Sequence, residues 1–134
     1  MSRCPSAKHL ASWAGLCPGN RQSGGKRLGG KPTGGDTWLT GVLGEVAWAI
    51  ARSRDNYLSA QYHRLARRRG KLKAAVAVAH SVLVIAYHIL KDKQPYRDLG
   101  ADCFDKLDTE RIRRHHVNRL SALGFEVTLT PKAA

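Results

Sequence analysis

The apolar run from Ala74 to Leu90 limits what this chain can fold into more than any other stretch. Leu72, Val76, Ala79, Leu83, Ala86 and Leu90 recur at steps of three and four, with Val82, Ile85 and Ile89 beside them. That spacing predicts one helix over Leu72–Leu90 with a continuous apolar face. The run is about as long as a short membrane span, but it contains His80, Ser81 and His88 and is rich in alanine. It therefore reads as a buried helix against which other helices pack. His80, Val84 and Tyr87 form a second stripe, in which packed and hydrogen-bonded roles are commoner than catalytic ones.

The remaining elements follow from caps and spacing. Leu10, Trp13, Ala14 and Leu16 suit a short helix within Ala7–Leu16, capped by Ser6. Asp36 or Thr37 caps a helix to about Ser53, with Leu39, Leu43, Val46 and Ile50 on one face. Trp38, Val42 and Ala49 widen that face, so burial over much of this helix is expected. Asp55 or Asn56 caps a helix to about Arg69, where Leu58, Tyr62 and Leu65 recur. From Thr109, after Asp108 as N-cap, a last helix places Ile112, His116, Leu120 and Leu123 on one side and stops at Gly124. Phe125, Val127 and Leu129 alternate with polar residues and predict one short strand. A chain of 134 residues suits a single core. The expected fold is thus mainly α: one domain over 1–134, a compact bundle of about four to five helices. Residues 17–35 form a long Gly-rich basic loop, 92–108 a polar connector, and the short strand lies near the C-terminus.

Charge narrows the partners. The 23 Lys and Arg against 10 Asp and Glu give a formal +13 and a pI near 10.3, which points to a polyanion, nucleic acid first. A membrane-surface protein would carry its cations along one face of an amphipathic helix. Here they fall in loops and at helix ends, and no membrane partner is expected. Cys4, Cys17 and Cys103 are odd in number and widely spaced, as reduced thiols are, and the N-terminus lacks an apolar signal region, so a cytoplasmic protein is expected.

Two basic stretches are candidates for contact with that polyanion. The first 35 residues hold six basic residues and no acid, and Cys17–Gly35 holds seven glycines and two prolines among Arg21, Lys26, Arg27 and Lys31. No regular element is expected there. A loop of this kind moulds to a phosphodiester backbone, or is a solvated linker. Within it, Ser23 precedes Gly24, Gly25 and Lys26. A hydroxyl on sharply bending backbone, near a cation and free N–H groups, fits a nucleophile on a phosphate-binding loop, although Ser-Gly-Gly is also ordinary turn chemistry. Gly25–Lys31 nearly spells a P-loop, but Pro32 stands where Ser or Thr would hold the metal, so nucleotide hydrolysis is rejected. The second stretch is Arg64, Arg67, Arg68, Arg69, Lys71 and Lys73, six cations in ten residues, more than offsetting a helix dipole requires. The spacing of Asp98, Asp102, Asp105 and Asp108 fits neither a calcium loop nor a paired-carboxylate site, and adjacent His115 and His116 diverge on a helix. No metal site is expected in this chain.

Several segments together carry a resemblance. Ala11-Ser12-Trp13-Ala14-Gly15-Leu16-Cys17-Pro18-Gly19, Gln22-Ser23-Gly24-Gly25-Lys26 and Ala74-Ala75-Val76-Ala77-Val78-Ala79-His80 resemble the C-terminal half of insertion-sequence transposases of the one-ten, one-sixteen and nine-oh-two type. Tyr96–Asp102 and Leu123–Val127 resemble the tail of the same family. The resemblance implies a recombinase that joins an RuvC-like domain, with a DEDD set of acids holding Mg2+, to a helical domain with a nucleophilic serine. A structured guide RNA would pair with target and donor DNA, and the intact protein would be a homo-oligomer. By motif position Ser23 matches the serine and would attack a DNA phosphodiester. The chemistry of Lys26 and the Gly24-Gly25 amides suits them to stabilising the phosphoryl oxygens. Gly35-Asp36-Thr37-Trp38-Leu39-Thr40 departs from the family's Gly-Asn, two residues, Leu-Arg, so that Asp36 and Thr40 replace an amide and a cation. Met1 falls just before the serine-bearing domain, so the RuvC-like domain is expected to be missing and this chain to be a truncated transposase, inactive alone. The alternative is a non-catalytic basic helical fragment that binds DNA or RNA.

Overall fold

The computed structural model describes residues 4–19, 21–31 and 34–130, apart from the side chains of Arg21 and Arg27. The chain divides into two units, Met1–Ala101 and Asp102–Ala134. The described residues of the first hold α1 (Ala7–Trp13), β1 (Arg21–Ser23), β2 (Lys26–Gly29), α2 (Thr37–Arg52), α3 (Tyr57–Arg69) and α4 (Lys71–Asp92). The mainly helical expectation holds.

Helix starts follow local chemistry. Ser6 Oγ accepts from His9 N, Asp36 Oδ1 from Leu39 N at 2.7 Å, and Asn56 Oδ1 from Ser59 N at 2.8 Å. Each satisfies a backbone donor that the helix leaves unpaired, an effect of about 1 kcal/mol per cap.

α4 is the centre of the first unit, and α1, α2 and α3 all pack on it. Ala11, Ala14, Leu16, Leu43, Ala47 and Tyr62 meet Ala74, Ala75, Val78, Ala79 and Leu83 in one core. The buried face of α4 is rotated from the expected one: Ala74, Ala75, Val78, Ala79, Leu83 and Tyr87 are inside, while Leu72 is 76% and Leu90 65% exposed. Because nearly every position from 74 to 90 is apolar, the spacing of the large residues does not single out a face. The alanines do, since small side chains let three helices approach closely. Tyr87, from the second stripe, is fully buried and its hydroxyl donates to Cys4 O at 3.1 Å, fastening the N-terminal segment to the core. By length and composition α4 could cross a membrane; its buried residues line this core instead.

α2 also departs from expectation. Leu43 and Ala47 are buried and Leu39 and Ile50 pack beside them, but Trp38 is 75% exposed and Val42 and Val46 are exposed too. One face is covered, not most of the surface. Trp48 meets Tyr62 edge-on, with ring centroids 6.1 Å apart.

The second unit contains α5 (Cys103–Leu107), inside the expected connector, and α6 (Thr109–Ala122), which packs on it. No residue of either helix is buried. Asp108 starts α6 as expected, but its carboxylate pairs with Arg111 instead of capping an N–H. A hydrogen bond from Lys106 holds the Asp102 carboxyl below its ordinary pKa. Gly124, at φ 88°, ends α6. The strand expected from Phe125, Val127 and Leu129 does not form: alternation supplies a face, but a ladder needs a partner, and these residues have none among those described.

Candidate functional site

The chain leaves the core just after Leu16, which is buried, and Cys17, which is partly so. Two contacts that only glycine permits then set up a projecting hairpin. Gly19 N donates to Lys31 O at 3.2 Å, and a Cβ on Gly19 would lie 2.4 Å from that oxygen. Gly35 lies so close to the end of α1 that a Cβ there would lie 2.2 Å from Gly15 N. Between these contacts, residues expected to be irregular form β1 and β2, an antiparallel pair with Arg21 opposite Gly29, Gln22 opposite Arg27 and Ser23 opposite Lys26. A register shift between Arg21 and Gln22 leaves Leu28 as the extra residue of a bulge. The reason for the difference is the turn. Gly24 and Gly25 have φ of +56° and +74°, the pair of left-handed residues that a type I′ turn requires.

Ser23 is the last residue of β1 and is exposed. Directly opposed residues of an antiparallel pair share a face, with Cβ atoms about 5 Å apart, so the Ser23 and Lys26 side chains leave the same face of the hairpin. Nothing lies within 4 Å of where a Cβ on Gly24 or Gly25 would be, which leaves the turn backbone open to a phosphate. Among the described residues no imidazole or carboxylate hydrogen-bonds to Ser23. The hairpin thus offers a hydroxyl and a cationic side chain on a stalk whose base is pinned to the core. Arg21 and Arg27 lie on its strands, with side chains outside the described residues, and Lys31 is exposed at its neck.

The second basic group lies at the α3–α4 corner. Arg64 is half-buried, and Arg67, Arg68 and Arg69 are exposed in the last turn of α3. Gly70, at φ 88°, ends α3 and begins α4, whose first turn carries exposed Lys71 and Lys73. The ion pairs among the described residues are His88–Asp92, Lys106–Asp102, Arg111–Asp108 and Arg113–Glu110. None involves Arg67, Arg68, Arg69, Lys71 or Lys73. Cations in the last turn of α3 offset its dipole, but Lys71 and Lys73 sit at the positive end of α4, where a cation is unfavourable. Helix stability therefore does not account for this corner.

Among the described residues no three His, Cys, Asp or Glu are grouped to hold a metal ion. The donor set that the resemblance implies for Mg2+ is not formed by them.

The family described as Transposase IS116/IS110/IS902 matches residues 1–63, just under half of the chain. Residues 1–63 are thus similar to that family. No curated protein and no solved structure matches the chain. The matched segment holds α1, the Ser23 hairpin, α2 and the first half of α3, and it stops one residue before Arg64. The hairpin lies within the matched residues, and most of the α3–α4 corner lies beyond them. Sequence reasoning missed Gly19 and Gly35 as the hairpin's anchors. The available signal was the Gly-Gly dipeptide at 24–25, a two-residue hairpin turn.

Proposed function

We propose that this chain is the serine-bearing part of a DNA-recombining transposase, in which Ser23 attacks a DNA phosphodiester. The observation that carries the reading is Ser23 at the tip of a pinned hairpin, opposite Lys26 and beside a turn whose backbone is open. Its Oγ forms a bond to phosphorus while the P–O3′ bond breaks. The serine proton leaves to solvent, the departing O3′ takes one up, and a phosphoserine link and a free 3′ hydroxyl result. Lys26 and the turn backbone offset the charge that builds on the phosphoryl oxygens.

DNA is the substrate class that a transposase implies, and the exposed cations of the hairpin and of the α3–α4 corner hold its backbone. Among the described residues no imidazole or carboxylate hydrogen-bonds to the hydroxyl, so activation comes from a second component. The family resemblance supplies one, an acidic RuvC-like domain with Mg2+, together with a structured guide RNA and a homo-oligomeric assembly in the cytoplasm. No residues of this chain are assigned to the metal.

The test supplies the full chain with the RuvC-like domain of such a transposase, guide RNA, Mg2+ and nicked DNA. Denaturing electrophoresis should show a covalent protein–DNA adduct that Ser23→Ala abolishes. An adduct that survives this substitution, or none at all, counts against the reading.

A further inference from the structure

The chain has three tryptophans, and the structure treats them differently. Trp48 packs against Tyr62. Trp13 is 59% and Trp38 75% exposed, although α1 and α2 both turn another face to the core, through Ala11 on α1 and through Leu43 and Ala47 on α2. One indole left in water would need no explanation. These two, however, stand at the same joint.

The joint is the contact of Gly35 with Gly15. Trp13 lies two residues before Gly15 and Trp38 three residues after Gly35, each separated from the contact by no more than about 10 Å of chain. The hairpin neck at Gly19 and Lys31 leaves from the same place, four residues along on either side. Both tryptophans therefore stand, exposed, within a few residues of the root of the hairpin that carries Ser23. The chain between them holds Arg21, Lys26, Arg27 and Lys31 and no acid before Asp36, so the partner drawn here is a polyanion. A duplex presents phosphate and sugar along its outside, against which an indole gains little. An unpaired nucleotide presents the flat face of a base, against which an indole stacks.

We infer that Trp13 and Trp38 are stacking platforms for unpaired nucleobases, so that the strand engaged by the serine hairpin is held locally single-stranded at the hairpin's root. This rests on the nucleic-acid reading above and adds to it a preference for unpaired DNA, with the two residues that produce it. The cations give affinity through phosphates, and the indoles give a salt-insensitive increment that depends on exposed bases.

The experiment titrates the full chain with a short oligothymidylate, an abasic strand with the same number of phosphates, and a duplex, following tryptophan emission and anisotropy. Oligothymidylate should quench the emission and bind more tightly than the abasic strand. Trp13→Ala and Trp38→Ala should each weaken its binding about tenfold. Phe at either position should restore most of the loss, and the salt slope should stay unchanged, because stacking releases no counterions. Circular dichroism checks that each variant keeps its helices. Equal binding of oligothymidylate and abasic strand, or equal binding by wild type and the Trp13→Ala/Trp38→Ala double variant, overturns the inference. If salt-dependent duplex binding persists in that case, only the stacking platforms are lost; if no nucleic acid binds at all, the underlying reading falls with them.

Discussion

Ser23 and Lys26 face each other across the last rung of the β1–β2 ladder, joined by two glycines at positive φ. The arrangement puts a cationic and a hydroxyl side chain on one face of the hairpin without help from the core. Lys26→Gln keeps the rung and removes the charge. In the reconstituted reaction the rate of adduct formation should fall about a hundredfold, the usual cost of losing one donor to a phosphoryl or acyl oxyanion. Amide exchange across the hairpin should be unchanged. An unaltered rate would mean that Lys26 only fills a strand position.

The α3–α4 corner is open to a salt experiment. Arg67, Arg68 and Arg69 have no acid within ion-pair distance among the described residues, and Lys71 and Lys73 extend the patch beyond the break at Gly70. Changing the three arginines to Ala should weaken duplex binding at low salt. It should also lower the slope of log affinity against log salt by about one for each phosphate that the variant no longer neutralises. The same variant loses some favourable interaction with the α3 dipole, roughly 0.3–1 kcal/mol per cation, so thermal stability is followed alongside. A slope that does not change would place the corner outside the nucleic-acid surface.

The caps and the hairpin show where sequence carries structural information and where it stops. Ser6, Asp36 and Asn56 are legible because a cap bonds its own first turn. The face that α4 buries is not, because a helix apolar almost all round takes its orientation from its neighbours. Trp38 has the spacing of a core residue yet stays in water for a related reason: α2 carries apolar residues on more of its surface than the unit has helices to cover. Phe125, Val127 and Leu129 have strand spacing with nothing to pair with. The hairpin is hidden in the sequence because its strands, of three and four residues, are too short and polar to show alternation. Ser23 is legible as a candidate from its glycines and neighbouring cation. Its opposition to Lys26 needs the register.

Two glycines with opposite surroundings test how the hairpin is attached. At Gly35 an added methyl would lie 2.2 Å from Gly15 N, whereas at Gly41, inside α2, nothing lies within 4 Å of one. Gly35→Ala should force α1 and α2 apart at a cost of about 1–3 kcal/mol, as overpacking does. That is a fall in Tm of roughly 5–20 °C for a unit of this size. Gly41→Ala should gain about 0.5–1 kcal/mol from helix propensity alone and raise Tm. Differential scanning calorimetry of the two variants decides this, and a Gly35→Ala protein as stable as the wild type would remove the contact from the account.

Tyr96 supplies the pH test of the first unit. Burial, and then the charge of Asp98, push its phenol above the ordinary tyrosine pKa. The sign follows from proton binding: the unfolded chain loses this proton near pH 10, while the folded chain keeps it to higher pH. Above that point the unfolded state binds fewer protons, so the contribution of Tyr96 is intact below about pH 10 and stability falls as pH rises through the window between the two values. Urea midpoints measured across this range should fall more steeply for the wild type than for Tyr96→Phe. Parallel curves would show that Tyr96 ionises as freely in the fold as in the open chain.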